Sequence, residues 1–166
     1  MTSKKKLIEV ALPLEAINRG CVEDKNRKTG HIRNLHKWFA PMPLPSWRAM
    51  LFASLVDDPG ESLPEREADL ERQRLFDLVE RLSSFDAYKD VDLLAHVRAE
   101  IAKAVGSVMP TIVDPFCGGG STVLEAQRLG LFTQASDLNQ IPVLITTVLC
   151  RIPGLFCDQP SSVRFI

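Results

Sequence analysis

Ile112-Val113-Asp114-Pro115-Phe116-Cys117-Gly118-Gly119-Gly120-Ser121-Thr122 decides how this chain is read. The pattern predicts a buried strand, a glycine-rich turn and a helix beginning near Ser121, the way open α/β folds build the floor of a nucleotide-type cofactor site. Three successive positions lack side chains, so a ligand can come close to the backbone, and the helix offers unpaired N–H groups. Working outward, Phe132-Thr133-Gln134-Ala135-Ser136-Asp137 reads as the next strand. It ends in an acid about 20 residues on, where such folds hold ribose hydroxyls.

Two common ligands do not suit this loop. A Walker-type phosphate loop needs a lysine after its last glycine, and Ser121 and Thr122 stand there instead. A dinucleotide loop spaces its glycines as G-x-G-x-x-G, which Gly118-Gly119-Gly120 does not. Asp114 just before the turn would repel a pyrophosphate. It suits a cationic amine. S-adenosylmethionine carries an amino-acid end, a sulfonium and a ribose, and no phosphate.

The 166 residues can bury a core, and the net charge of −1 selects no partner. Charge distribution says more: residues 1–48 carry ten Lys/Arg against four Asp/Glu, while residues 57–100 carry six against thirteen. A basic front end fits contact with a phosphate backbone, and equally a solvated face. Cys21, Cys117, Cys150 and Cys157 form no C-x-x-C pair, and three scattered histidines make no zinc site legible. Neither a signal peptide nor an apolar run of the ~20 residues needed for a membrane span is found, which predicts a reducing cytoplasm.

Apolar spacing supplies the other elements. Residues 7–12 read as a short strand or extended lead-in, 13–22 as a short helix, and 23–30 as a polar surface loop. Trp47, Met50, Leu51 and Leu55 mark a helix from Ser46 to Val56. Ser62 with Glu65 fits a capping box for a charged helix to Leu82, read as a solvent-exposed insertion. A helix over 89–105 is expected to bury Val91, Leu94, Ile101 and Val105, Gly130 to cap the helix after the glycine turn, and Ile141–Leu149 to form a last helix. The chain divides into a basic segment with a His/Trp block (1–60), a charged helical insertion (61–109), two strand–helix units (110–152) and an irregular tail (153–166).

Asp114-Pro115-Phe116-Cys117-Gly118-Gly119-Gly120 resembles the methyl-donor motif D-P-F-x-G-x-G of amino-directed DNA methyltransferases. Ala135-Ser136-Asp137-Leu138-Asn139 resembles their second donor motif. The stretch from Leu35-His36-Lys37-Trp38-Phe39-Ala40 through Arg48 to Leu55 resembles the front of one group, large prokaryotic adenine-specific methylases opening with a domain of unknown function, some linked to anti-phage defence. The resemblance implies a Rossmann-like α/β fold preceded by a mostly helical segment, S-adenosylmethionine as cofactor, and N6-adenine methylation of DNA in the complete enzyme. Gln140 departs from the proline usual after the second motif. The family's catalytic D/N/S-P-P-aromatic tetrapeptide has no counterpart, since the chain contains no Pro-Pro dipeptide. The chain therefore reads as the front portion of a methylase, truncated or completed by a second chain carrying the catalytic motif. A non-catalytic interaction module and an RNA methyltransferase are the alternatives.

On this reading Asp114, Phe116, Gly118, Gly120, Asp137 and Asn139 bind the cofactor. Asp114 meets the donor's amino group, or is satisfied by the turn's own amides. Asp137 meets the ribose, or caps the helix that follows. Trp38 and Phe39 stack on the cofactor's adenine or a flipped base, or pack in the core. Arg33, Lys37 and Arg48 reach DNA phosphates, or lie on a solvated surface. Cys117 is a small filler, His31 and His36 are structural, and Trp47 and Met50 are core.

Overall fold

The computed structural model describes residues 4–34, 36–39 and 41–156. Its first element, α1 (Leu7–Val10), is helical rather than extended. Glu9 Oε1 accepts the Lys6 N–H at 3.0 Å, a local bond that closes the turn, and Leu7 is fully buried. Lys6 ties this start to the end of a distant helix, its Nζ donating to the Leu55 carbonyl at 3.0 Å and pairing with Asp57 at 2.5 Å.

Helix α2 (Leu14–Asn26) starts after Pro13 as expected but runs four residues past Val22 into the predicted loop. The reason is Asp24, which is buried rather than solvated and so holds the last turn against the protein. Helix α3 (Leu44–Leu55) is the central one: Leu44, Arg48, Ala49, Leu51, Phe52 and Ala53 are all buried. Trp47 and Met50 are half-buried.

Helix α4 (Glu65–Leu82) begins at an N-cap Pro64 with no side-chain cap, so the Ser62–Glu65 box does not form. Ser62 instead closes a 3₁₀ turn over Pro59–Glu61. Leu75, Leu78, Val79 and Leu82 share one core with Phe52 of α3 and with Val97 and Ile101 of α5 (Val91–Val105). The charged helix is amphipathic, and its apolar stripe belongs to the main core rather than to an insertion standing apart. In α5 the Asp90 carboxylate caps the helix by accepting the Leu93 N–H at 2.9 Å. That puts Val91 in the first turn, 74% exposed, and Val105 only half-buried, while Leu93, Leu94, Val97 and Ile101 face inward.

Strands β1 (Thr111–Asp114) and β2 (Phe132–Ala135) pair in parallel, from Thr111 opposite Phe132 to Asp114 opposite Ala135. Helix α6 (Ser121–Arg128) makes the crossover, and Gly130 (φ 78°) ends it. The result is a mixed α/β fold: a two-stranded parallel sheet amid mostly helical structure. The sheet is less buried than its sequence suggests. Ile112 packs toward the core, but Thr111, Val113, Phe132 and Gln134, which alternation puts on the opposite face, are all exposed. The last helical stretch comprises α7 (Gln140–Thr146), a π turn over Thr147–Arg151 and α8 (Ile152–Phe156). Helix thus extends to Phe156 where an irregular tail was expected from 153, and residues 157–166, Cys157 among them, lie outside the described residues. Among the described residues no helix is long and apolar enough to cross a membrane.

Candidate functional site

The parallel register does not stop at Asp114. Ser136 N–H donates to the Asp114 carbonyl and Cys117 N–H to the Ser136 carbonyl, both at 2.9 Å. These bonds carry the chain from β1 into the turn while holding it beside the end of β2. Asp114 Oδ1 accepts the Phe116 N–H at 3.1 Å, an Asx-type turn that bends the backbone outward. Gly118 (φ 50°) and Gly120 (φ 76°) adopt left-handed conformations that side chains disfavour. Gly120 is the N-cap residue of α6.

Asp137 lies across the loop. One carboxylate oxygen accepts the Gly118 N–H at 3.1 Å and the other the Asn139 N–H at 3.0 Å. Those bonds, Asn139 first and Gly118 second, hold its carboxyl below the usual aspartate range, so it is anionic at neutral pH. Asn139 caps α7 in turn, its Oδ1 accepting the Ile141 N–H at 2.9 Å. Of the two roles open to Asp137 in the sequence, the helix-cap role belongs to Asn139.

A cleft of about 280 Å³ opens over this loop, at the lower end of small-molecule sites. Asp114, Phe116, Gly118, Asp137, Trp38 and Phe39 all line it, so the aromatic pair meets residues 75 or more positions on in sequence. Gly120 and Asn139 are not among its walls. A Cβ on Gly120 would meet Thr146 Oγ1 at 2.9 Å, so that glycine makes room for α7 rather than for a ligand. Trp38 lies over the loop, with its Cδ1 3.3 Å from a Cβ built on Gly118, and it meets Phe39 edge-on at 5.2 Å. Phe39 is 83% exposed, which excludes core packing for it. Trp47, Met42, Pro41, Ser121 and Thr122 complete walls that sequence reasoning did not assign. Trp47 was readable only as a helical core position, because the cleft it lines is made by a loop 70 residues away. Among the described residues no lysine, arginine or histidine lines the cleft.

Residues 11–78 match the family described as Protein of unknown function (DUF1156). No curated protein and no solved structure matches the chain. The similarity to that family spans α2, α3 and most of α4, with Trp38 and Phe39 between them, and stops before the glycine loop.

The basic residues divide. Lys37 is exposed beside Trp38. Arg33 has its backbone in a 3₁₀ turn (Ile32–Asn34), and its side chain lies outside what is described. Arg48 is no phosphate ligand. It is 1% exposed, and its Nε lies 3.1 Å from Oε2 of the fully buried Glu125. A charged residue is solvated by default in a sequence reading, and the partner that buries it stands 77 residues on. His31 is buried, 3.9 Å from Asp24 and with its ring centroid 4.9 Å from that of Phe85 in a tilted contact, a structural position, whereas His36 is exposed. Cys117 is a buried filler whose Sγ receives the Thr146 hydroxyl at 3.4 Å.

Proposed function

We propose that this chain is the S-adenosylmethionine-binding portion of an adenine-specific DNA methyltransferase, with a Rossmann-like donor unit built on β1, α6 and β2. The observation that carries the reading is the make-up of the cleft: a glycine loop, two carboxylates, a wall of aromatic rings and, among the described residues, no basic side chain. Phosphates are disfavoured there, and a cation is favoured by charge and by the ring faces. The donor suits such a site because it is cationic at sulfur and amine and bears a ribose diol.

The cofactor would supply an electrophilic methyl group. Asp137, anionic and with lone pairs left after its two backbone bonds, would accept the ribose hydroxyls. Asp114 would face the ammonium end. Trp38 or Phe39 would cover the adenine. Lys37 and the exposed Lys25 and Lys28 give the DNA backbone a partner. DNA rather than RNA rests on the resemblance of the front segment. Because the chain has no Pro-Pro dipeptide, the groups that hold the target amine must come from elsewhere.

The bare face of β1 and β2 favours a second element of the same reading, completion by another chain. Parallel sheets are stable when both faces and their edges are covered, and Val113 and Phe132 are 64% and 68% exposed.

Isothermal titration of the chain with S-adenosylmethionine tests the cofactor reading. Binding that Asp137→Ala weakens by about tenfold or more, some 1.4 kcal/mol, is the expected result. Absence of heat from a folded, monomeric chain would overturn it.

A further inference from the structure

We propose that the buried Arg48–Glu125 pair is a positioning device for the cleft, fixing α3 against α6 so that Trp38 is held over Gly118 and Gly119. Four observations bear on this. Arg48 follows Trp47, a cleft wall, and Glu125 lies one turn beyond Ser121, another wall, so the pair joins the two helices directly behind the site. The fork of Arg48 also reaches the Phe85 carbonyl through Nη2 at 3.4 Å. Glu125 uses its second oxygen on Arg128 at 2.6 Å, and Arg128 in turn lies 4.5 Å over the Tyr88 ring. One ion pair therefore sets the relative placement of α3, α6 and the turn over Phe85–Lys89.

The second argument is energetic. Burial lowers the Arg48 pKa despite Glu125, Asp24 and Tyr88, with Arg128 adding to the lowering. Burial raises that of Glu125 despite Arg48 and Arg128. Desolvation thus outweighs attraction on both sides, and among the described residues neither Arg48 Nε, Arg48 Nη1 nor Glu125 Oε2 makes a hydrogen bond, so the pair is a close charge contact. Well-packed hydrocarbon in place of such a pair is often neutral or stabilising. Stability alone does not account for the pair. Position does: the charge contact with Glu125 and the Nη2 bond to the Phe85 carbonyl place Arg48 between α6 and the Phe85–Lys89 turn, where an apolar contact can slide. The loop bearing Trp38 enters α3 within six residues, so a shift of α3 against α6 moves the ring over the glycines.

The test compares the full chain with Arg48→Met/Glu125→Leu and with Arg48→Lys; quenching is read in a Trp47→Phe background so that fluorescence reports Trp38 alone, and affinity is measured with Trp47 in place. The double variant is expected to melt at or above the parent's temperature. Acrylamide quenching of its Trp38 is expected to rise roughly twofold, as local opening requires, and its affinity for S-adenosylmethionine to fall about tenfold. Arg48→Lys keeps a cation beside Glu125 and so keeps the fold if the double variant does not, but one ammonium cannot bridge Glu125 and Phe85 together. Its Trp38 quenching should rise in the same direction. Parental quenching in whichever variant folds would overturn the proposal and leave the pair as packing. The affinity arm rests on the cofactor reading and the quenching arm does not, so a parent that fails to bind the donor sinks that reading while Trp38 still tests the positioning.

Discussion

The helical part, from α1 through α5, and the strand–helix part, from β1 through α8, are built from similarly apolar sequence and end in opposite states. In the first, Leu7, Phe52, Val79, Leu82, Val97 and Ile101 are 0% exposed in one continuous cluster. In the second, Val113 and Phe132 on the sheet and Ile141, Leu144, Leu155 and Phe156 on the last helices are half-exposed or more. Only Ile112, Ala126, Leu129 and Leu131 of the second part reach the common core. The helical part closes on itself. A parallel pair of strands cannot, because its outer face needs another layer. The glycine loop thus stands on a unit that is anchored on one side and bare on the other, and the carboxylates follow the same division. In the helical part Asp58 is gripped by a guanidinium, whereas among the described residues Asp114 and Asp137 bind only backbone amides.

The largest consequence concerns the core. Leu78→Ala, at a site 4% exposed, should cost about 3 kcal/mol, within the range for buried leucines. Urea unfolding followed by circular dichroism would read it as a lower midpoint at unchanged slope. A loss below about 1 kcal/mol would mean that the helical part is loosely packed and does not close on itself.

Next comes acid. Arg72 grips Asp58 with two bonds, Nε at 2.8 Å and Nη2 at 3.0 Å, and the Gly60 N–H adds a third at 2.9 Å. The Arg72 bonds first, then the Gly60 amide, hold the Asp58 carboxyl below its ordinary value against the opposing effect of burial. A carboxyl depressed by folding adds stability that is complete above its unfolded value, about 3.9, and is lost as pH falls through the lower folded value. Asp58→Asn should cost about 2 kcal/mol at pH 7, and the difference from the parent should shrink below pH 4. A difference that persists at pH 2 would mean that packing, not charge, ties α4 to the turn before it.

The two parts also differ in how far their sequence could be read. Asp114 through Thr122 and Phe132 through Asp137 carry local instructions: a strand, a turn that demands glycine, and a strand at crossover distance. Those were legible. Periodicity found α3, α4 and α5 but not their ends, since Val91 fits the stripe yet falls in a first turn where Asp90 does the capping. What could not be read were partnerships across long separations. Arg48 needs Glu125, Asp24 needs a fold around it, and Gly120 needs Thr146 before its missing side chain has a purpose. Even α1 depends on Leu7 finding the core beyond Val56, which no window of six residues contains.

The smallest expected effect bears most directly on the bare face. Phe132→Thr removes a large ring from the outer face of β2, opposite Thr111. In a core position a Phe truncation costs about 3–5 kcal/mol. Here, with the ring 68% exposed, the unfolding free energy of the isolated chain should change by less than about 0.5 kcal/mol. The same substitution should lower any tendency to self-associate, because it removes apolar surface that water leaves uncovered. Sedimentation velocity across a concentration series, run beside the urea titration, separates the two effects. If Phe132→Thr unfolds the chain, the outer face is already packed in solution and the unit is closed. If stability holds and association falls, the face is a surface awaiting a cover, which is the state that completion by a second chain requires.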